Sequence, residues 1–261
     1  MSTKGTALIT GASTGIGAVY ADRLAKRGYD LILVARNLER LQEVAAKLAP
    51  AGVKIDILQA DLTDKADLAK VEKRLAEDKS ITQLVNNAGM AVAGNMLDGD
   101  IDKYEQMIFL NIVAPTRLAK AAAVAFAARK AGTIINVGSV TAFIPERFNG
   151  VYSGSKAYIL NLSQALSVEL APHGVTVQAV LPGATRTEIW ERAGHDINAL
   201  PPEMVMEVDE MVDASLKGFD LGEPVTIPSL PDIALWETMQ TARHAMGPNL
   251  SLNHAAPRYK A

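Results

Sequence analysis

The sequence predicts an α/β fold: a doubly wound parallel sheet of about seven strands with helices on both faces, in a single domain over residues 1–261. Three observations predict it. Short β-branched or leucine-rich runs recur along the chain, longer stretches with helical spacing lie between them, and several of the short runs are apolar without alternation. An unbroken apolar run is what a strand buried on both faces requires. Strands alternating with helices imply βαβ units, and right-handed crossovers then make a doubly wound sheet the natural topology.

The elements follow in order. The first strand is 6–10 (TALIT), and a glycine loop leads from it into a helix over 17–27. The second strand is 31–34 (LILV), after which Leu38, Leu41, Val44, Ala45 and Leu48 share one helix face. The third is 54–59 (KIDILQ), followed by the helical spacing of Leu68, Val71 and Leu75. Strands at 83–85 and 133–137 (TIINV) bracket an apolar helical stretch over 104–128. A helix from Tyr152 to about Pro172 leads to strands at 176–181 (TVQAVL) and 224–227. After residue 185 the alternation breaks, and residues 188–232 predict a substrate lid inside the domain. Met204, Met206 and Met211 suit a flexible apolar lining of that lid, and Trp190 either walls the pocket or packs. The tail over 247–261 has little periodicity.

Composition narrows the function. Lys and Arg number 26 against 29 Asp and Glu, a net charge of −3, so there is no basic field for nucleic acid. Cysteine is absent, which removes disulfides, thiol catalysis and cysteine zinc sites and suits the cytoplasm. The longest unbroken apolar run is 121–128, eight residues, where a membrane-spanning helix takes about 20. The opening MSTKGTALIT has no apolar core, so no secretion signal is expected. His173, His195, His244 and His254 lack metal-ligand spacing, and no metal is expected.

The glycine loop carries the first functional signal. Gly11, Ser13, Thr14, Gly15, Ile16 and Gly17 lie between the first strand and its helix. Glycines there permit positive φ and close backbone approach, and the helix N-terminus with its free N–H groups favours a pyrophosphate. The spacing Gly-x3-Gly-x-Gly differs from the common Gly-x-Gly-x-x-Gly pattern. The end of the second strand then selects the dinucleotide. A 2′-hydroxyl takes a carboxylate there, and a 2′-phosphate takes an arginine. The strand ends in Ala35-Arg36, nineteen residues after Gly17, with Arg40 one helical turn on. NADP(H) is expected over NAD(H).

Tyr152 and Lys156 sit four apart at the start of a helix, so they point into one cleft. A phenol titrates near 10, and a nearby ammonium lowers that value, making the tyrosine a usable acid/base. In isolation the pair is a weak signal. Ser139 follows the fifth strand at the carboxyl edge, where open α/β sheets bind ligands. Asn111 sits in the apolar stretch MIFLNIVAP, where a buried amide needs partners.

Taken together these motifs resemble the short-chain dehydrogenase/reductase family, whose fold is of Rossmann type. The resemblance covers the chain to about Thr187. Thr10-Gly11 with Gly15-Ile16-Gly17 is similar to that family's cofactor loop, Asp61-Leu62 to its adenine contact, and Asn86-Asn87-Ala88-Gly89 to the motif beneath the cofactor. Asn111, Ser139, Tyr152 and Lys156 match its catalytic tetrad in order, and Pro182-Gly183 with Thr185 and Thr187 its nicotinamide contact. The resemblance implies an NADP(H)-dependent oxidoreductase acting on a carbonyl or secondary alcohol. Tyr152 would be its acid/base, with Ser139 polarising the carbonyl oxygen and Lys156 on the nicotinamide ribose. Asn111 would complete a water relay to Lys156. It also implies a homodimer or homotetramer. The segment PVTIPS at 224–229 departs from the Gly-Gly-rich ending of acyl-carrier-protein reductases, and points to the branch that reduces ketones and aldehydes. The alternatives are a catalytically silent NADP-binding regulatory or scaffold protein, and an epimerase or dehydratase with a tightly held dinucleotide.

Overall fold

Each expected apolar run becomes a strand in a computed structural model of the chain, which describes residues 4–94 and 96–260, the Arg147 side chain excepted. The first three residues of the opening segment and Ala261 of the tail lie outside the described residues. The strands are β1 Thr6–Thr10, β2 Asp30–Ala35, β3 Ile55–Gln59, β4 Ile81–Asn86, β5 Gly132–Val137, β6 Val175–Val180 and, at one edge, β9 Val225–Thr226. They form a seven-stranded sheet in the order β3–β2–β1–β4–β5–β6–β9, parallel throughout. A separate parallel pair, β7 Ala184–Thr185 and β8 Val205–Met206, is a feature the sequence reading missed.

Period-2 alternation decides which layer each strand residue joins. Leu8, Ile32, Leu84 and Ile134 pack on one face with Leu75 and Phe126, which belong to α3 Lys65–Glu77 and α5 Ala114–Arg129. Their chain neighbours Ile9, Leu33, Val85 and Ile135 pack on the other face with Leu24 and Leu41, from α1 Gly15–Lys26 and α2 Leu38–Leu48. Both faces are thus covered. Strand order reverses between β1 and β4, which opens a crevice at the carboxyl ends of these strands, where ligands bind in such sheets.

Three departures from the sequence reading bear on the site. The helix carrying Tyr152 is α6 Gly150–Leu170, which starts two residues early because the Asn149 side chain accepts from the N–H groups of Val151 and Tyr152. Between α4 Ile101–Ile108 and α5, residues Phe109–Val113 form a π turn, so 101–129 is one helical run. By length and composition this run is long and apolar enough to cross a membrane. It serves as a core helix: Leu118, Ala122 and Phe126 are buried, and Arg117 makes two hydrogen bonds of 2.6 Å to Glu72 on α3.

The third departure concerns 188–232, which divides in two. A short α7 Ile189–Arg192 and irregular chain lead to β8, and then α8 Val208–Asp220 packs into the core. Met211 is fully buried there and Met206 packs on the same cluster, while Met204 is exposed. These methionines therefore do not form one lining. The chain up to Pro228 makes one compact unit and the chain from Ser229 a second. The second holds α9 Ile233–Ala245 with Trp236 buried, and leaves Leu235, Met246, Leu250 and Leu252 exposed.

Candidate active site

At the carboxyl end of β1, Thr10 and Asn87 lock two strands together. The Thr10 hydroxyl accepts from the N–H groups of Asn87 and Ala88, both at 3.0 Å, and donates to the Val85 carbonyl at 3.3 Å. Asn87 Nδ2 returns a bond of 2.9 Å to the Thr10 carbonyl. The loop then turns at Gly11 with φ +67, a region that glycine enters without steric cost. Gly17 has another reason to be glycine, since a Cβ there would lie 2.3 Å from the Gly11 carbonyl oxygen. It fits the helix against the loop. Thr14 precedes α1 without a side-chain cap, and no acidic residue occupies its first turn. The helix N–H donors are therefore open to an anion.

On the far side, β5 ends at Ser139 and α6 brings Tyr152 and Lys156 to meet it. Burial pushes the Tyr152 phenol up to about 12, against the downward pull of the Ser139 hydroxyl nearby. Lys156 Nζ donates to the Val137 carbonyl at 3.2 Å and sits 5.6 Å from the Tyr152 ring centroid. Burial pushes the lysine down to about 8. The sequence reading expects the ammonium to lower the tyrosine. The direction is reversed here because desolvation outweighs the charge of an ammonium turned toward a carbonyl.

Asn111 occupies the middle of the π turn and is buried. Its Oδ1 accepts from the Met90 N–H and its Nδ2 donates to the Met90 carbonyl, each at 2.9 Å, with a further bond of 3.2 Å to Ser155 Oγ. Its amide is thus committed to the backbone after β4. Only a glycine-sized gap separates it from Lys156. A Cβ on Gly89 would lie 3.2 Å from Asn111 Oδ1 and 3.6 Å from Lys156 Nζ.

These residues surround one elongated cavity of about 450 Å³, within the range of ligand sites. Every cofactor-contact residue singled out in the sequence borders it except Gly17 and Arg40, and of the tetrad candidates only Asn111 does not. Arg36 is exposed on its wall. Arg40 instead donates to Glu188 at 2.7 Å.

Asn86 belongs to a motif already legible in the sequence, but its partners and several other contributors were not. Asn86 Nδ2 donates to Asn136 Oδ1 and Asn136 Nδ2 to Ser163 Oγ, each at 2.9 Å, a buried chain that ties β4 and β5 to α6. Phe148 stands 5.0 Å from the Tyr152 ring and 5.9 Å from the His195 ring, centroid to centroid. Both Phe148 and His195 border the cavity, although His195 reads as an ordinary loop histidine. Strand-end polarity hinted at Asn136. Phe148 is only four residues from Tyr152 but precedes α6, outside its helical spacing, and the remaining contacts join residues too far apart in the chain for spacing to reveal.

Comparison with known proteins agrees with this geometry. The short chain dehydrogenase family model matches residues 5–198. An uncharacterised oxidoreductase of Staphylococcus epidermidis is 35% identical over 187 residues, 71% of this chain and 80% of the relative. A short-chain dehydrogenase from Sphingobium yanoikuyae, solved in complex with NADPH, is 53% identical with a TM-score of 0.95, covering 98% of this chain and 99% of that one. The bulky-bulky ketone specific alcohol dehydrogenase from Comamonas testosteroni is 47% identical with a TM-score of 0.91, covering 99% of each chain. With a Rossmann-type sheet, a glycine loop over an open helix N-terminus and a Ser–Tyr–Lys cluster sharing one cavity, the chain belongs to the short-chain dehydrogenase family of oxidoreductases.

Proposed function

We propose that this protein is an NADP(H)-dependent oxidoreductase interconverting a ketone and a secondary alcohol, with Tyr152 as general acid/base. One observation carries the reading: Ser139, Tyr152 and Lys156 border the same cavity as the glycine loop and Arg36. The uncapped, acid-free first turn of α1 suits a pyrophosphate. Arg36, with Ala35 before it and no carboxylate at the strand end, suits a 2′-phosphate. The NADPH held by the Sphingobium relative supports the same dinucleotide.

When bound, the nicotinamide supplies or accepts the hydride. The chain's own groups handle the oxygen and the proton. Ser139 Oγ hydrogen-bonds the substrate oxygen and fixes it beside Tyr152. In reduction the Tyr152 hydroxyl gives its proton to that oxygen, and in oxidation it takes the proton back. Lys156 in its cationic form holds the ribose hydroxyls and stabilises the tyrosinate left after transfer. Asn111 ties the irregular chain after β4 to α6 through Met90 and Ser155, and a water between it and Lys156 would return the proton to solvent.

Leu110, Val140, Phe148, Ile189 and Trp190 give the substrate end an apolar wall. Together with the naming of the Comamonas relative, this supports a ketone with two large apolar substituents. Residues 188–206 act as the lid over it. Val124 on α5 and Val168 on α6 are exposed at 57% and 79%, which supports a homo-oligomer built on these helices.

The test is NADPH oxidation by the pure protein across aldehydes, small ketones and diaryl or branched ketones. Steady turnover that is highest on the bulky ketones is expected. Tight NADPH binding without turnover on any carbonyl would instead make the chain a silent dinucleotide-binding protein.

A further inference from the structure

Arg40 is one helical turn beyond Arg36, yet the two side chains go to different places. Arg36 borders the cavity in solvent, while Arg40 Nη1 donates to Glu188 Oε2 at 2.7 Å, across 148 residues of chain. Arg192, four residues on, donates to the same carboxylate oxygen. Glu188 itself borders the cavity. A carboxylate beside a phosphate-binding cleft repels its ligand unless it is neutralised, and two guanidinium groups neutralise this one. Arg40 holds the Glu188 carboxyl below the ordinary carboxylate range.

The chain just before Glu188 lies against the glycine loop. A Cβ on Gly15 would be 3.3 Å from Thr187 Cγ2. Thr187 therefore meets the loop expected to hold the pyrophosphate, and the next residue, Glu188, is tied to Arg40 of α2 on the adenosine side of the cleft. Trp190 Nε1 anchors the middle of the segment 187–192 to the Thr185 carbonyl at 2.9 Å. On the NADP(H) reading, a dinucleotide on the glycine loop would lie beneath this segment, and lifting the segment would break the Arg40–Glu188 pair.

Building on the NADP(H) reading, we propose that Arg40 and Glu188 are positioning residues: their ion pair straps residues 187–192 over the glycine loop and sets how fast the dinucleotide leaves. The strap does not touch the 2′-phosphate, so it acts on NADH and NADPH alike. Recognition by Arg36 separates the two dinucleotides, and the strap slows the exit of both. Its side chains are 41% and 43% exposed, so it is an exposed pair of modest strength, sensitive to salt.

The experiment is stopped-flow displacement of NADPH and of NADH from the full chain, for wild type, Glu188→Gln, Arg40→Met and Arg40→Lys, at low and high salt. Glu188→Gln and Arg40→Met are expected to speed the loss of both dinucleotides by about three- to tenfold, the range open to an exposed ion pair. Arg40→Lys keeps the cation and should stay within about twofold of wild type on that basis. High salt should speed release from wild type more than from Glu188→Gln, in which only the phosphate contacts remain to be screened. Acceleration confined to NADPH in Arg40→Met would make Arg40 a phosphate ligand and overturn the strap. Unchanged or slower release from Glu188→Gln would overturn it too, since the carboxylate would then be neutral or repulsive. A wild-type chain that binds neither dinucleotide overturns the strap together with the NADP(H) reading. Normal wild-type binding with unaltered release in the variants removes the strap alone.

Discussion

The two walls of the cavity are held by different kinds of force. On the sheet side, Ser139, Tyr152 and Lys156 are carried by β5 and α6, which rest on fully buried Ile134 and Ile135 and on the buried Asn86–Asn136–Ser163 chain. On the side of the proposed lid, residues 184–206 are held by two two-residue strands, the Trp190–Thr185 bond and the exposed pairs of Arg40 with Glu188 and Arg186 with Glu207. Removing a partner from a buried network leaves a desolvated polar group behind, whereas an exposed ion pair exchanges readily for water. In the proposed reaction, the groups that need fixed geometry for proton transfer sit on the first kind of support. The segment proposed to part for ligand sits on the second.

The largest expected effect tests the sheet-side wall. Tyr152→Phe should lower turnover at least about a hundredfold, as loss of a general acid does, while NADPH affinity stays within about threefold. Lys156→Met should weaken both, because the ammonium is assigned to the ribose as well. A Tyr152→Phe enzyme that keeps a third of its turnover would mean the proton is handled elsewhere. The same wall predicts a pH profile. Below about 8 Lys156 is cationic and Tyr152, with its pKa near 12, is protonated. As pH rises through about 8 the cation is lost first, so kcat/KM for ketone reduction should fall, approaching tenfold per unit. A flat profile from 7 to about 10 would remove Lys156 from the acid/base machinery.

The adenosine end gives the next effect. Arg36→Ala should weaken NADPH by at least about tenfold, near 1.4 kcal/mol for a charge-assisted phosphate contact, and leave NADH unchanged. Equal losses for the two dinucleotides in a binding titration would argue against a 2′-phosphate role. At the substrate end, Phe148→Ala opens the aromatic contact from Tyr152 to His195. It should change kcat/KM between small and bulky ketones by several-fold, about the discrimination available to an apolar pocket. An identical ratio for both ketones would show that Phe148 only packs. The smallest signal is in hydrogen exchange without ligand, where the amides of 188–206 should be less protected than those of β5. Equal protection would erase the contrast between the two walls.

Much of the fold was legible in the sequence because it rests on local pattern. The seven sheet strands appear as apolar runs, each within two residues of its observed bounds. The start of α6 was misplaced because Asn149, its cap, lies outside the apolar periodicity that marks a helix. The cleft-lining residues were legible where a motif compresses them into a few positions, as in the glycine loop or Tyr152 with Lys156. The pairing of Arg40 with Glu188 was not legible, because the two lie 148 residues apart. Nor could Asn111 be read as locked onto Met90, since that depends on how α4 is phased against the strand. The shifts at Tyr152 and Lys156 depend on how deeply a folded cleft desolvates them, and spacing carries no such information.

The π turn at Phe109–Val113 has a consequence for how this gene tolerates change. A π turn holds one residue more than an α turn, and each helical residue advances the screw by about 100°. Deleting a single codon between 109 and 113 would close this turn to α geometry and leave α4 in phase, because the shorter turn still completes the same rotation. Tyr104 and Met107 would keep the interior they fill, and Asn149 would keep the Tyr104 hydroxyl that its amide reaches at 2.7 Å. The change falls on the turn itself, where Asn111 holds both backbone groups of Met90. Length at this turn is therefore expected to matter less for folding than for the placement of Asn111. Libraries of single-residue deletions across 109–113 should yield folded clones whose activity is altered.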